Sequence, residues 1–76
     1  MKERAIDMYF VITGQTDRGQ ENIKKIIRDK GHHVGDHVNQ DTDYLIANYP
    51  SLTTKYKSAL LFNISIITEE ELFKLI

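Results

Sequence analysis

With 76 residues the chain has room for one domain, and a domain of that size buries only about 60% of the surface its unfolded chain exposes, which leaves little space for an enclosed active site. It has no cysteine, which excludes disulfides, thiolate catalysis and Cys-ligated zinc and fits a reducing compartment. Ten Lys and Arg against eleven Asp and Glu give a formal net charge of −1, the wrong balance for a general nucleic-acid coat, whose binding comes from many cations neutralising phosphates; any phosphate binding must be local.

The start, Met1-Lys2-Glu3-Arg4, is followed by acidic Asp7 instead of the apolar stretch of a secretory leader. No apolar run approaches the ~20 residues of a membrane span. The expected setting is therefore the cytoplasm or nucleoid, or a nucleus. Met8-Tyr9-Phe10-Val11-Ile12 is continuously apolar, β-branched or aromatic, the pattern of a strand covered on both faces as in a parallel sheet. Thr13-Gly14 ends it. Asp17 then reads as a helix N-cap with Gln20 in capping-box position, and Ile23, Ile26 and Ile27 follow as one buried stripe. Lys24, Lys25 and Arg28 occupy the opposite face, and Gly31 sits where a left-handed C-cap belongs, so this helix is predicted over residues 18–30.

Residues 33–38 read as a short strand with Val34 and Val38 on one face. Asn39-Gln40-Asp41-Thr42 supplies turn chemistry before a second apolar strand, Asp43-Tyr44-Leu45-Ile46-Ala47. Asn48-Tyr49-Pro50-Ser51 breaks the pattern. A second helix starts near Thr53 or Thr54, with Tyr56, Ala59 and Leu60 marking its buried face, and Asn63 closes it. Ile64-Ser65-Ile66-Ile67 is a fourth strand, and Thr68 with Glu71 forms a capping box that opens a last helix containing Leu72, Phe73 and Ile76. The order is β-α-β-β-α-β-α, with helices long enough to be crossovers between parallel strands. There is no internal repeat, linker or low-complexity segment, so residues 1–76 are expected to form one domain with its core from about residue 8 onward.

Phe10-Val11-Ile12-Thr13-Gly14, Gly31, Thr42-Asp43-Tyr44-Leu45-Ile46-Ala47, Lys55 with Tyr56-Lys57-Ser58-Ala59, and Ile66-Ile67-Thr68-Glu69-Glu70-Glu71-Leu72 fall in the order and spacing of a BRCT domain. The resemblance runs from about Tyr9 to Ile76. It is closest in flavour to the BRCT domains of bacterial NAD-dependent DNA ligases and of clamp-loader large subunits, where the strand after the turn also reads Thr-Asp-Tyr-Leu. Two positions depart from the family. His32 replaces the second of the paired glycines that often follow the first helix, and the last helix has no tryptophan, which points away from tandem phosphopeptide readers and toward the ligase and clamp-loader type. The predicted fold is an α/β, BRCT-like, four-stranded parallel sheet of order 2-1-3-4 flanked by helices. Phe10, Ile12, Ile23, Ile27, Leu45, Ala59, Leu60 and Ile67 are its expected core.

In open α/β sheets ligands bind beyond the carboxyl ends of the strands. Thr13 brings a hydroxyl to that edge and Gly14 an N–H with no Cβ in the way. Lys55 adds a charge beside the unpaired N–H groups of a helix start. A lysine there opposes the helix dipole by a few tenths of a kcal/mol or more, which a bound phosphate would offset. The resemblance implies the same site, since phosphate-binding BRCT domains use a Ser or Thr, the following Gly and a helix-start Lys. The alternative is that Thr13-Gly14 merely turns the chain and Lys55 is a solvated lysine. Arg18 could extend the socket toward a DNA 5′ phosphate, and Lys24, Lys25 and Arg28 form a basic patch that is either a DNA contact or a solvated face. Glu69-Glu70-Glu71 reads as favourable charge in a helix first turn.

His32, His33 and His37 match no closed zinc motif, so no metal is expected. The sequence has no nucleophile and base pair with motif support, no glycine-rich nucleotide loop and no paired carboxylates that spacing singles out; it suggests no cofactor and no catalysis. The reading is a non-catalytic binding module of a DNA replication or repair protein that recognises phosphate on DNA ends or on a phosphorylated partner. Two alternatives stand beside it: a phosphate-independent protein–protein module, pairing with a second copy or with another such domain, and the terminal domain of a DNA ligase whose chemistry lies elsewhere.

Overall fold

The computed structural model describes residues 7–76; residues 1–4, read above as unlike a leader, lie outside that range. β1 (Tyr9–Ile12), α1 (Gln20–Asp29), β2 (His33–Gly35), β3 (Tyr44–Ile46), α2 (Thr54–Leu61), β4 (Ser65–Ile67) and α3 (Glu69–Leu75) follow in the predicted order. The strands make one sheet, β2-β1-β3-β4, with every neighbouring pair parallel. Because the strands run the same way, the residues that follow β1, β3 and β4 all emerge at one carboxyl edge.

Both faces of the sheet are covered, which is why β1 is apolar without alternation. Phe10, Ile12 and Ile46 pack with Ile23 and Ile27 of α1 and Leu72 of α3 on one side. Val11 and Leu45 pack with Ala59 of α2 on the other. Adjacent strand residues point to opposite faces, so a single run of four residues feeds two cores.

The helix ends show how local sequence fixes the chain path. At the end of α1, Gly31 lies at φ 87°, its N–H donates to the Arg28 carbonyl, and the His32 N–H donates to Ile27. This pair of bonds is a Schellman motif, and the left-handed residue it requires is the reason for the glycine. His32, in place of a second glycine, fits the turn and has a partner of its own: Nδ1 accepts the Met8 N–H at 3.1 Å while the ring meets Phe10 edge-on. Asn63, at φ 60°, closes α2 by the same two bonds, to Leu60 and from Ile64 to Ala59. At α3 the predicted capping box is present, with Thr68 accepting the Glu71 N–H and the Glu71 side chain accepting the Thr68 N–H.

Three local expectations are corrected. α1 begins at Gln20 with Gly19 as its N-cap and no side-chain cap, not at Arg18 after Asp17, because Gly19 lies at φ 85°, outside the helical region, and the Asp17 N–H that a capping box would give to Gln20 is bonded to Glu69. Val34 and Val38 pack into opposite cores, because β2 ends at Gly35 and strand alternation does not extend past it. Leu60 is 64% exposed: the inward side of α2 runs through Lys55, Tyr56, Ser58 and Ala59, and the next residue turns about 100° away. Of the remaining expected core residues, Phe10, Ile12, Ile23, Ile27, Leu45 and Ala59 are fully buried, and Ile67 is half-buried.

Candidate phosphate site at the carboxyl edge

Thr13 leaves β1 still bound to the sheet, its N–H donating to the Ile46 carbonyl at 3.0 Å. Its side chain is buried and its Oγ1 lies 2.9 Å from Oγ1 of Thr53. Thr53 is the N-cap of α2, accepting the Tyr56 N–H, and it also lies 2.9 Å from Oγ of Ser51. Two residues on, Lys55 reaches back across this junction and its Nζ donates to the Ile12 carbonyl at 3.1 Å. The β1 end and the α2 start are therefore joined through the same two residues, Thr13 and Lys55, that the sequence singled out, although they are 42 positions apart.

Gly14 is exposed at φ 76°, and a Cβ built on it would meet nothing within 4 Å. Backbone conformation, not crowding, is what calls for glycine here. Its carbonyl accepts Nε2 of Gln20 at 2.7 Å, so the residue is held although it faces solvent. The opposition between Lys55 and the helix dipole is met in part inside the chain, by the Ile12 carbonyl.

The Lys55 side chain also borders a cleft of about 580 Å³ lined by Asp36, His37, Val38, Thr54 and Ser58. A second hollow, of about 540 Å³, lies around Asp7, Asp41, Asp43 and His37. Its carboxylates give it the wrong sign for a phosphate.

The other basic residues are dispersed. Arg18 is half exposed, its Nη1 2.8 Å from Oε2 of Glu69 and its guanidinium 4.3 Å above the Phe73 ring. Lys24 is the least exposed of the α1 cations and lies 3.5 Å from Glu21. Lys25 and Arg28 are exposed on α1.

Glu69 is the residue sequence reasoning missed. As one of three glutamates in a helix first turn it looked like a dipole partner, but only 2% of it is exposed. Its carboxylate accepts the Asp17 N–H at 2.8 Å, the Arg18 N–H at 3.1 Å, Arg18 Nη1 at 2.8 Å and Asn48 Nδ2 at 2.9 Å. The Glu69 N–H donates in turn to Oδ1 of Asn48 at 2.8 Å. Burial pushes the carboxyl pKa up, but the bonds from Asn48, Arg18 and the Asp17 backbone outweigh it and hold the group at about 2. The only sequence signal was position: Glu69, the second residue after β4, shares a carboxyl edge with the connections that follow β1 and β3.

A parallel four-stranded sheet of this order, with helices on both faces and polar residues gathered at its carboxyl edge, defines a small three-layered α/β fold. The chain belongs to the BRCT family: the family model for the BRCA1 C Terminus (BRCT) domain matches residues 7–76. It is similar to the DNA ligase of Mycoplasmopsis synoviae, 41% identical over 70 residues, which takes in 92% of this chain and 10% of the ligase. The DNA ligase of Ruminiclostridium cellulolyticum is 40% identical over 68 residues, 86% of this chain and 10% of the ligase. That of Thermosipho africanus is 38% identical over 68 residues, 88% of this chain and 10% of the ligase. The chain thus spans about a tenth of the length of these relatives.

Proposed function

We propose that the chain is a non-catalytic docking module of a DNA ligase or related replication or repair protein, and that it recognises a phosphate, the terminal 5′ phosphate of DNA before a phosphorylated protein. The observation that carries this reading is the junction of β1 and α2, where the Thr13 hydroxyl lies 2.9 Å from the N-cap Thr53, the Lys55 ammonium reaches the carbonyl of Ile12, the residue before Thr13, and the next residue, Gly14, is exposed. Thr13, Lys55 and Gly14 supply a neutral donor, a cation and a backbone donor, the set an anion needs. Any bond-making chemistry belongs to the parent protein. Similarity to DNA ligases favours DNA over phosphoprotein as the source of the phosphate.

Charge-assisted hydrogen bonds are worth about 1.5–3 kcal/mol each, so Lys55→Ala or Thr13→Ala should weaken binding to a 5′-phosphorylated duplex about tenfold or more. Lys55→Glu should abolish it. The unphosphorylated duplex and a phosphopeptide library are the comparison ligands, each at two salt concentrations. Replacing Lys25 and Arg28 is the control, since losing a diffuse patch lowers affinity for both duplexes alike and flattens the salt dependence. Equal affinity of wild type and Lys55→Glu for every phosphorylated ligand overturns the phosphate reading.

A second reading has its own observation: Leu52, Leu60 and Leu61 are 87%, 64% and 79% exposed, an unusual amount of leucine on so small a surface. It makes the chain a phosphate-independent protein–protein module, and concentration-dependent self-association or partner binding that survives Lys55→Glu would favour it.

A further inference from the structure

α3 does not need Glu69. Its N-terminus is already closed by the Thr68–Glu71 capping box, and every side-chain bond of Glu69 leaves the helix. Three of the four donors on its carboxylate belong to the β1–α1 connection: two successive backbone N–H groups, of Asp17 and Arg18, and the Arg18 guanidinium. Consecutive N–H groups converging on one point form an anion-binding nest. Here the anion is the chain's own carboxylate. The fourth donor, Asn48, lies at the start of the β3–α2 connection and bonds Glu69 through both ends of its amide.

These two connections are the ones that build the Thr13, Gly14 and Lys55 junction. The first carries Gly14, whose carbonyl is tied to Gln20. The second carries Ser51 and Thr53 and leads into Lys55. A carboxylate withdrawn from water is unfavourable unless its lone pairs are filled, so Glu69 holds both connections in the one arrangement that fills them.

We propose that Glu69 is the positioning residue of the phosphate socket: by seating the Asp17 and Arg18 backbone and the Asn48 amide on one carboxylate, it fixes where the Gly14 N–H stands relative to Thr13 and Lys55. This rests on the phosphate reading given above. It also gives Arg18 an indirect role, acting through Glu69.

The test compares wild type with Glu69→Gln, which keeps the volume but replaces one acceptor oxygen with a donor facing other donors. Ile27→Val, a mild core change on α1, reports what lost stability alone does. The first measurement is amide hydrogen exchange, and the second is the ratio of affinities for 5′-phosphorylated and unphosphorylated duplex. In Glu69→Gln, exchange at Asp17 and Arg18 should rise about tenfold more than at core amides such as Ile27, and the affinity ratio should fall about tenfold, the loss of one well-placed hydrogen bond to a charge. Ile27→Val should leave the affinity ratio unchanged. Should Glu69→Gln fail to fold, Asn48→Ala removes the two bonds between Asn48 and Glu69 while leaving the Asp17 and Arg18 bonds in place, and should move both readings the same way by a smaller factor.

An unchanged affinity ratio in folded Glu69→Gln, with wild type still preferring the phosphorylated duplex, overturns the positioning role and leaves the socket reading intact. Exchange at Asp17 and Arg18 that rises no more than at the core overturns it whatever the DNA does. A wild type with no phosphate preference overturns the socket reading first, and the positioning role with it.

Discussion

Leu45 lies in the middle of β3 with no exposed surface, in contact with the cluster of Val11 and Ala59. Truncating it leaves a cavity between sheet and helix that the short β3 cannot close, so Leu45→Ala should cost about 2–5 kcal/mol, a large part of the stability of a domain this size. Leu60→Ala should change stability by no more than about 0.5 kcal/mol, because its side chain is mostly in water already. Denaturant midpoints of the two variants check both statements, and a large loss on Leu60→Ala would mean that the apolar surface of α2 is covered in solution. At this scale the sequence was readable wherever a residue sat inside a run of like residues, as Phe10, Val11 and Ile12 do. It was unreadable at Glu69, because nothing in Glu69-Glu70-Glu71 distinguishes the buried glutamate from its two exposed neighbours.

Among the elements, the helix caps separate two kinds of local information. The Thr68 hydroxyl accepts the Glu71 N–H at 3.2 Å and the Glu71 carboxylate accepts the Thr68 N–H at 2.8 Å, so Thr68→Ala should lower stability by about 1 kcal/mol. Asp17→Ala should be nearly neutral, because no side chain caps α1 and the Asp17 contribution is its backbone N–H, which alanine also has. Thermal midpoints of the pair test this. The motif at Thr68 was legible since both partners lie within four residues. The one read at Asp17 was a false match, because a partner 52 residues away took the backbone first.

For the molecule as a whole, Glu69 ties folding to pH. Its carboxyl titrates at about 2 in the folded chain against an ordinary value of 4.5. As pH falls below 4.5 the unfolded chain takes up this proton before the folded one does, and stability drops with pH. The Glu69 contribution is thus complete above about pH 5 and lost progressively as pH falls through about 2. Glu69→Gln has no such proton to bind, so it should be the less stable protein at neutral pH and show a shallower decline, the two stability curves converging toward pH 2. Urea denaturation of both proteins from neutral pH down to that value measures this, and parallel curves would show that the carboxylate is not the coupled group.

The sequence by itself determined what depends on near neighbours: seven elements in order, the parallel class of the sheet from apolar runs without alternation, the C-caps at Gly31 and Asn63, and the kinds of residue that end β1 and begin α2. It also put the end of β1 and the start of α2 at a common edge, where Thr13 bonds Thr53 and Lys55 bonds the Ile12 carbonyl, because parallel strands send their carboxyl ends the same way. Only the tertiary structure decided which face of α2 turns inward, where α1 starts, and that one of three glutamates is buried. The last two of those outcomes are each a competition between a local partner and a distant one. The distant partner prevailed because a buried carboxylate must have its lone pairs filled, and the donors that fill those of Glu69 are supplied by loops from elsewhere in the chain.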